Sequence, residues 1–164
     1  MGALSTLKQI SQAYKGDINV IFYYAGHGVP NEKNNEAYLL PADATPSMLE
    51  ACLPLSSLYS SIGSIDAKQV IVFMDACFSG SRRENGMIVS ARGIAIKPKK
   101  DIVTGNVVVF SAADGSETAY PYKEKGHGLF TYFLLKKLKE SRGNVTLGDL
   151  ADYIKTNVSQ KSIV

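Results

Sequence analysis

Val70-Ile-Val-Phe-Met-Asp-Ala-Cys-Phe-Ser-Gly80 decides the fold of this chain. Val70 to Met74 are consecutive apolar residues rich in β-branched and aromatic types, and they read as a strand buried on both faces, as central strands of parallel sheets are. Asp75, Cys77 and Gly80 follow at its end. In open parallel sheets the carboxyl ends of the strands face the crevice where ligands bind, so a thiol at this place is presented by a rigid scaffold. The cysteine has a plainer reading as well, because unpaired cysteine is among the most buried residue types and behaves as a small hydrophobe.

Outward from that strand, Asn19 to Tyr24 form a second β-rich run. Ala25-Gly-His-Gly28 comes next, which sets His27 at the matching end of a second strand. Leu55, Leu58, Tyr59 and Ile62 fall at i, i+3, i+4 and i+7, an amphipathic helix leading through Gly63 to the Cys77 strand and completing a β-α-β order. A third strand, Asn106 to Phe110, delivers Ser111-Ala-Ala-Asp-Gly115 to the same edge. Asp114 is thus either within reach of the crevice or the first half of an Asp-Gly turn.

Around these strands the pattern is helical or turn-like. Leu4, Leu7, Ile10 and Tyr14 predict an opening helix with one apolar face, ended by Lys15-Gly-Asp17. Pro30 to Glu36 read as a polar turn and Ala37 to Leu40 as a short strand, a hairpin capping the crevice, and Asp43 as a turn-stabilising side chain. Leu129 to Glu140 form a helix with Phe130, Phe133, Leu134 and Leu138 on its core face. His127 precedes that helix and does not follow a strand, so His27 is the better candidate for a catalytic base. Thr146 predicts the cap of a last helix, with Asp149 three residues on and Leu147, Leu150, Ala151, Ile154 and Val158 inside. Residues 79–101 lack periodicity and carry Arg82, Arg83, Arg92, Lys97, Lys99 and Lys100, so a long loop over about 79–105 is expected within a single domain spanning 1–164.

Composition narrows the function classes. With 45% hydrophobic and 20% charged residues in 164, the chain reads as a packed globule, and one core is expected. A net charge of +3 without aromatic-interleaved basic runs gives no nucleic-acid footprint. No apolar run approaches membrane-spanning length, and the first ten residues lack a signal-peptide pattern, so neither membrane nor export is expected. Two cysteines make no disulfide framework; Cys52 reads as core, and a reducing, cytoplasmic setting is expected. A nucleotide-binding flavodoxin-like domain is disfavoured, since no glycine-rich phosphate loop follows a strand.

Four motifs in order carry a family resemblance: Tyr23-Tyr-Ala-Gly-His-Gly28, Tyr38-Leu-Leu-Pro-Ala-Asp43, Asp75-Ala-Cys-Phe-Ser-Gly80 and Gly126-His-Gly-Leu-Phe-Thr131. Together they resemble the caspase-like cysteine peptidases, nearest to the metacaspase-like bacterial members, over about residues 4 to 158. Fifty residues separate His27 from Cys77, with histidine upstream as in caspases. The resemblance implies a caspase-like doubly wound α/β/α sandwich with a mainly parallel sheet. It also implies strands ahead of Met1, so the chain is expected to lack an N-terminal part and to leave a sheet edge for that segment or a second chain.

The activity implied is that of a cysteine endopeptidase. Cys77 is the nucleophile, His27 its proton acceptor and donor, and the backbone N–H groups of Gly28 and Cys77 form the oxyanion hole. By the same likeness Asp75 lines an S1 pocket for a basic P1 side chain of a protein or peptide substrate, with Asp114 beside it. Self-cleavage is expected after Arg92, Lys97, Lys99 or Lys100. No cofactor is implied. Many metacaspases use calcium, but Met48 to Ser57 holds only Glu50 where an acidic pair belongs, so no metal is expected. The competing reading is a catalytically inactive interaction module, or one fragment of a processed assembly.

Overall fold

A computed structural model describes residues 2–31, 33–78, 103, 105–113 and 119–162. In chain order its first half contains α1 (Gly2–Ala13), β1 (Asn19–Ala25), β2 (Gly28–Pro30), β3 (Ala37–Leu39), β4 (Leu53–Pro54), α2 (Leu55–Gly63) and β5 (Gln69–Asp75). The second half adds β6 (Val107–Ser111), β7 (Pro121–Tyr122), β8 (His127–Gly128), α3 (Leu129–Ser141) and α4 (Leu147–Ser162).

The central sheet is parallel, ordered β1-β5-β6, with β5 in the middle as its unbroken apolar run demands. Alternate β5 side chains serve two cores, one on each face of the sheet, where composition predicts a single core. Val70, Val72 and Met74 pack with Leu58, Tyr59 and Ile62 of α2 and with Leu4 and Leu7 of α1. Phe73 turns to the opposite face, where it meets Phe110 at 5.1 Å between ring centroids, with Phe130 and Leu134 of α3 and Leu150 and Ile154 of α4. Two helices on each face of a parallel sheet make the α/β/α layering of a doubly wound fold. The buried faces predicted for α2, α3 and α4 meet the sheet, since Leu55, Leu58, Tyr59, Ile62, Phe130, Phe133, Leu134, Leu150 and Ile154 are all buried.

Three local departures have physical causes. In α1, Leu4 and Leu7 touch the core but Ile10 and Tyr14 do not, being 43% and 64% exposed. Ser11 lies inward instead and donates its hydroxyl to the Asp66 carbonyl at 2.5 Å, so a hydrogen bond and not an apolar contact seats the last turn. The hairpin after His27 gains a third strand, for β4 pairs antiparallel with β3. Pro54 obscures a strand in sequence, but β4 is only two residues long and lies at the edge of its sheet, where proline is tolerated. Asp43 is exposed, and the turn there closes through the main chain, Ala44 N–H to Pro41 carbonyl at 3.2 Å.

Among the described residues β1 is an edge strand, and Ile21 and Tyr23, on its face away from α2, are 68% and 48% exposed. After β6 the chain makes a tight β7–β8 hairpin before α3. Gly126 takes φ 67° there, a left-handed conformation that glycine adopts without a Cβ penalty. Thr146 caps α4: Asp149 N–H donates to its Oγ1 at 3.1 Å, and that hydroxyl donates to the Asp149 carboxylate at 2.7 Å. The loop expected over about 79–105 lies outside the described residues apart from Val103 and Gly105, as does Asp114.

Candidate active site

β1 and β5 run in parallel register until Ala25 stands beside Asp75. The pairing then continues past both strand ends, with Gly26 N–H donating to Asp75 O and Gly28 N–H donating to Cys77 O, each at 3.2 Å. Two short glycine-flanked segments are thus zipped side by side, which brings His27 and Cys77 to adjacent positions at the carboxyl edge of the sheet.

His27 is exposed, but its backbone is fixed. Its carbonyl accepts from Leu40 N–H at 3.0 Å and from the Tyr24 hydroxyl at 2.9 Å. The same hydroxyl lies 3.0 Å from the Leu40 carbonyl, so its single proton is shared between two acceptors. Burial, the larger influence, pushes the Tyr24 phenol above its ordinary value and keeps that proton in place. Tyr24 therefore clamps the His27 turn to the end of the β2–β3 hairpin.

Cys77 is 9% exposed. Its Sγ accepts the Ala119 N–H at 2.8 Å and lies 3.6 Å from the Ala119 carbonyl. Among the described residues the thiol and the His27 imidazole share no hydrogen bond, so the sulfur in this conformation is held by the segment ahead of β7. Gly28, expected as an oxyanion donor, has its amide on the Cys77 carbonyl, and a Cβ there would lie 2.2 Å from the Phe78 ring and 2.6 Å from Cys77 O. Close packing within the protein already demands glycine at this position.

Asp75 is 1% exposed, at the inner wall of a cavity of about 390 Å³. Its Oδ2 accepts the Thr131 hydroxyl at 2.5 Å and the Thr131 N–H at 3.3 Å. Thr131 lies in the first turn of α3, so the carboxylate satisfies one of the helix's orphan amides, which the N-cap Gly128 has no side chain to reach. Tyr23, Ala25, Tyr122, Lys123 and His127 complete much of the cavity wall. Neither His27 nor Cys77 lines it. Asp75 is therefore the sequence-predicted residue in the cavity, while the cysteine and histidine stand beyond it on the same edge.

The family model for the caspase domain matches residues 2–163, nearly the whole chain. This chain belongs to the caspase domain family. A paracaspase of Dictyostelium discoideum is 29% identical over 139 residues, which is 85% of this chain and 31% of that protein. The chain therefore spans about a third of that relative's length. Neither likeness singles out the metacaspase-like bacterial branch that the motifs suggested.

Within this caspase domain the remaining candidates divide simply. Cys52 is buried and its thiol reaches the Met48 carbonyl at 3.5 Å, with burial pushing its pKa up, as suits a core residue and not a nucleophile. His127 is exposed on β8 opposite Tyr122 and belongs to the cavity wall. Asp114, Arg92, Lys97, Lys99 and Lys100 lie outside the described residues. Among the described residues no three metal-binding side chains cluster, and no helix is long and apolar enough to cross a membrane. The contributions of Ala119, Thr131 and Tyr24 were not read from sequence. Ala119 acts through its backbone and leaves no side-chain signal, whereas the Gly126 to Thr131 motif carried a signal without a stated role.

Proposed function

We propose that this domain is a cysteine endopeptidase in which Cys77 is the nucleophile and His27 its proton carrier. The observation that supports it best is the pairing beyond β1 and β5, which holds the His27 and Cys77 segments side by side. In the first step the Cys77 thiolate forms a bond to the peptide carbonyl carbon. The tetrahedral oxyanion is held by backbone donors, the Cys77 N–H among them, joined by Gly28 N–H if substrate exchanges its bond to Cys77 O. The imidazolium of His27 then gives its proton to the leaving amine as the C–N bond breaks, and a thioester remains. Neutral His27 next takes a proton from water, whose oxygen displaces the thiolate and releases the acid.

The same proposal takes a basic P1 side chain into the Asp75 cavity, where a guanidinium or ammonium meets a carboxylate. Self-cleavage at Arg92, Lys97, Lys99 or Lys100 would follow from that preference and rests on sequence. A second reading, a non-catalytic interaction module, draws support from the buried thiol held by Ala119.

Labelling with an arginine-directed, thiol-reactive peptide, followed by mapping of the modified residue, separates the two. Modification of Cys77 with turnover of a P1-arginine peptide is expected. Cys77→Ala abolishes that turnover and His27→Ala lowers it by about two to four orders of magnitude, with the fold retained. An inert Cys77 in a folded protein leaves the interaction module standing. Incubating wild type beside Cys77→Ala and reading intact masses tests self-cleavage: a cut only in wild type supports it, and equal cutting in both ends it.

A further inference from the structure

The Gly126 to Thr131 motif includes no residue of the proposed Cys-His pair, yet two of its residues close on Asp75. Thr131 donates both its hydroxyl, at 2.5 Å, and its amide, at 3.3 Å, to Asp75 Oδ2. Gly128 packs so tightly on the same group that an added Cβ would lie 2.2 Å from Oδ2. On the far side of Thr131 the Tyr23 hydroxyl lies 2.8 Å from its Oγ1. A carboxylate can only accept, so the one hydroxyl proton of Thr131 goes to Asp75 and the Tyr23 hydroxyl must supply the proton of the outer bond. The donors therefore run in one direction, Tyr23 to Thr131 to Asp75, and end on an anion. The inner bond has the length of a charge-assisted O–H···O⁻ contact. Tyr23, Asp75, Gly128 and Thr131 all line the one cavity.

We infer that Thr131, supported by Gly128 and Tyr23, is a specificity-determining positioning residue, which fixes the Asp75 carboxylate as an oriented floor for a cationic substrate side chain. The inference rests on the reading of the Asp75 cavity as the P1 site. Asp75 sits at the end of β5, with its main chain held by β1. Its carboxylate rotamer is set from across the cavity by α3, through Thr131. Without the hydroxyl, Oδ2 loses its shortest described donor and the carboxylate can turn from the cavity, which weakens recognition of a cation more than that of a neutral side chain.

The test compares kcat/KM for two peptides that differ only in P1, arginine in one and its neutral near-isostere citrulline in the other. The arginine-to-citrulline ratio is independent of the fraction of active protein, so partial misfolding cancels. Wild type is expected to favour arginine strongly and Asp75→Asn to lose the preference. Thr131→Val is expected to lower the ratio about tenfold, and Thr131→Ser, which restores the hydroxyl, to recover it. Thr131→Ala serves as a second variant free of any packing excess and is read by the same ratio. A ratio unchanged in Thr131→Val and Thr131→Ala, with both substrates slowed alike, overturns the inference while the basic preference survives through Asp75→Asn. A wild type indifferent to arginine and citrulline overturns both.

Discussion

Tyr24 shows how a single hydroxyl organises the histidine without touching its ring. Its bonds to the His27 and Leu40 carbonyls hold the turn that carries the imidazole, and Gly26 leaves room for it, since a Cβ there would lie 2.6 Å from the phenol oxygen. Tyr24→Phe is expected to lower kcat about threefold to tenfold with KM little changed, the signature of a mispositioned proton carrier, as steady-state kinetics on a P1-arginine peptide will read. Gly28 is set by sterics, wedged against Phe78 and the Cys77 carbonyl. Gly28→Ala should destabilise the domain by about 1–3 kcal/mol in urea unfolding and abolish turnover, because the loop must move off the Cys77 segment.

At the scale of elements, α2 and the edge strand β1 behave oppositely. Leu58 of α2 is 1% exposed beneath the sheet, and Leu58→Ala should cost about 2–5 kcal/mol in the same unfolding assay. On β1, Ile21 shows most of its surface on an edge strand, which is the kind of strand that templates association between chains. Ile21→Lys is expected to suppress concentration-dependent light scattering while changing stability by no more than about 0.5 kcal/mol. The β7–β8 hairpin is the element with the widest reach, since Tyr122 and His127 line the Asp75 cavity and Ala119, just before it, holds the Cys77 sulfur.

At the scale of the molecule, burial keeps two groups protonated among the described residues, the Cys52 thiol and the Tyr24 phenol, both with raised pKa values. The folded chain holds these protons more tightly than the unfolded chain. Their contribution is therefore complete below the ordinary thiol value of about 8.5 and is lost as pH climbs towards the raised folded values. The urea midpoint should fall as pH rises above about 8.5, first through Cys52 and then, above about pH 10, through Tyr24, and Cys52→Ala should remove the earlier part of that fall. The two halves of the proposed site are carried by different parts of the fold. His27 and Cys77 follow β1 and β5, whereas the Asp75 cavity is closed by α3 and the β7–β8 hairpin.

The sequence by itself determined the parallel sheet, the faces of α2, α3 and α4, and the arrival of His27 and Cys77 at one edge. Each of these is written in local periodicity: an apolar run flanked by glycine for the strands, 3.6-residue spacing for the helices. Where the pattern was weak it misled, as at Ile10 and Tyr14, because a buried Ser11 hydroxyl bonded to Asp66 O took the place of an apolar contact. Only the tertiary structure decided what each reactive group touches. The Ala119 amide reaches Cys77 across 42 residues, and Thr131 reaches Asp75 across 56, so neither contact has a signal in neighbouring sequence. A backbone donor has no side chain to announce it, and a threonine near a helix start looks like ordinary helix chemistry until the strand that packs against it is known.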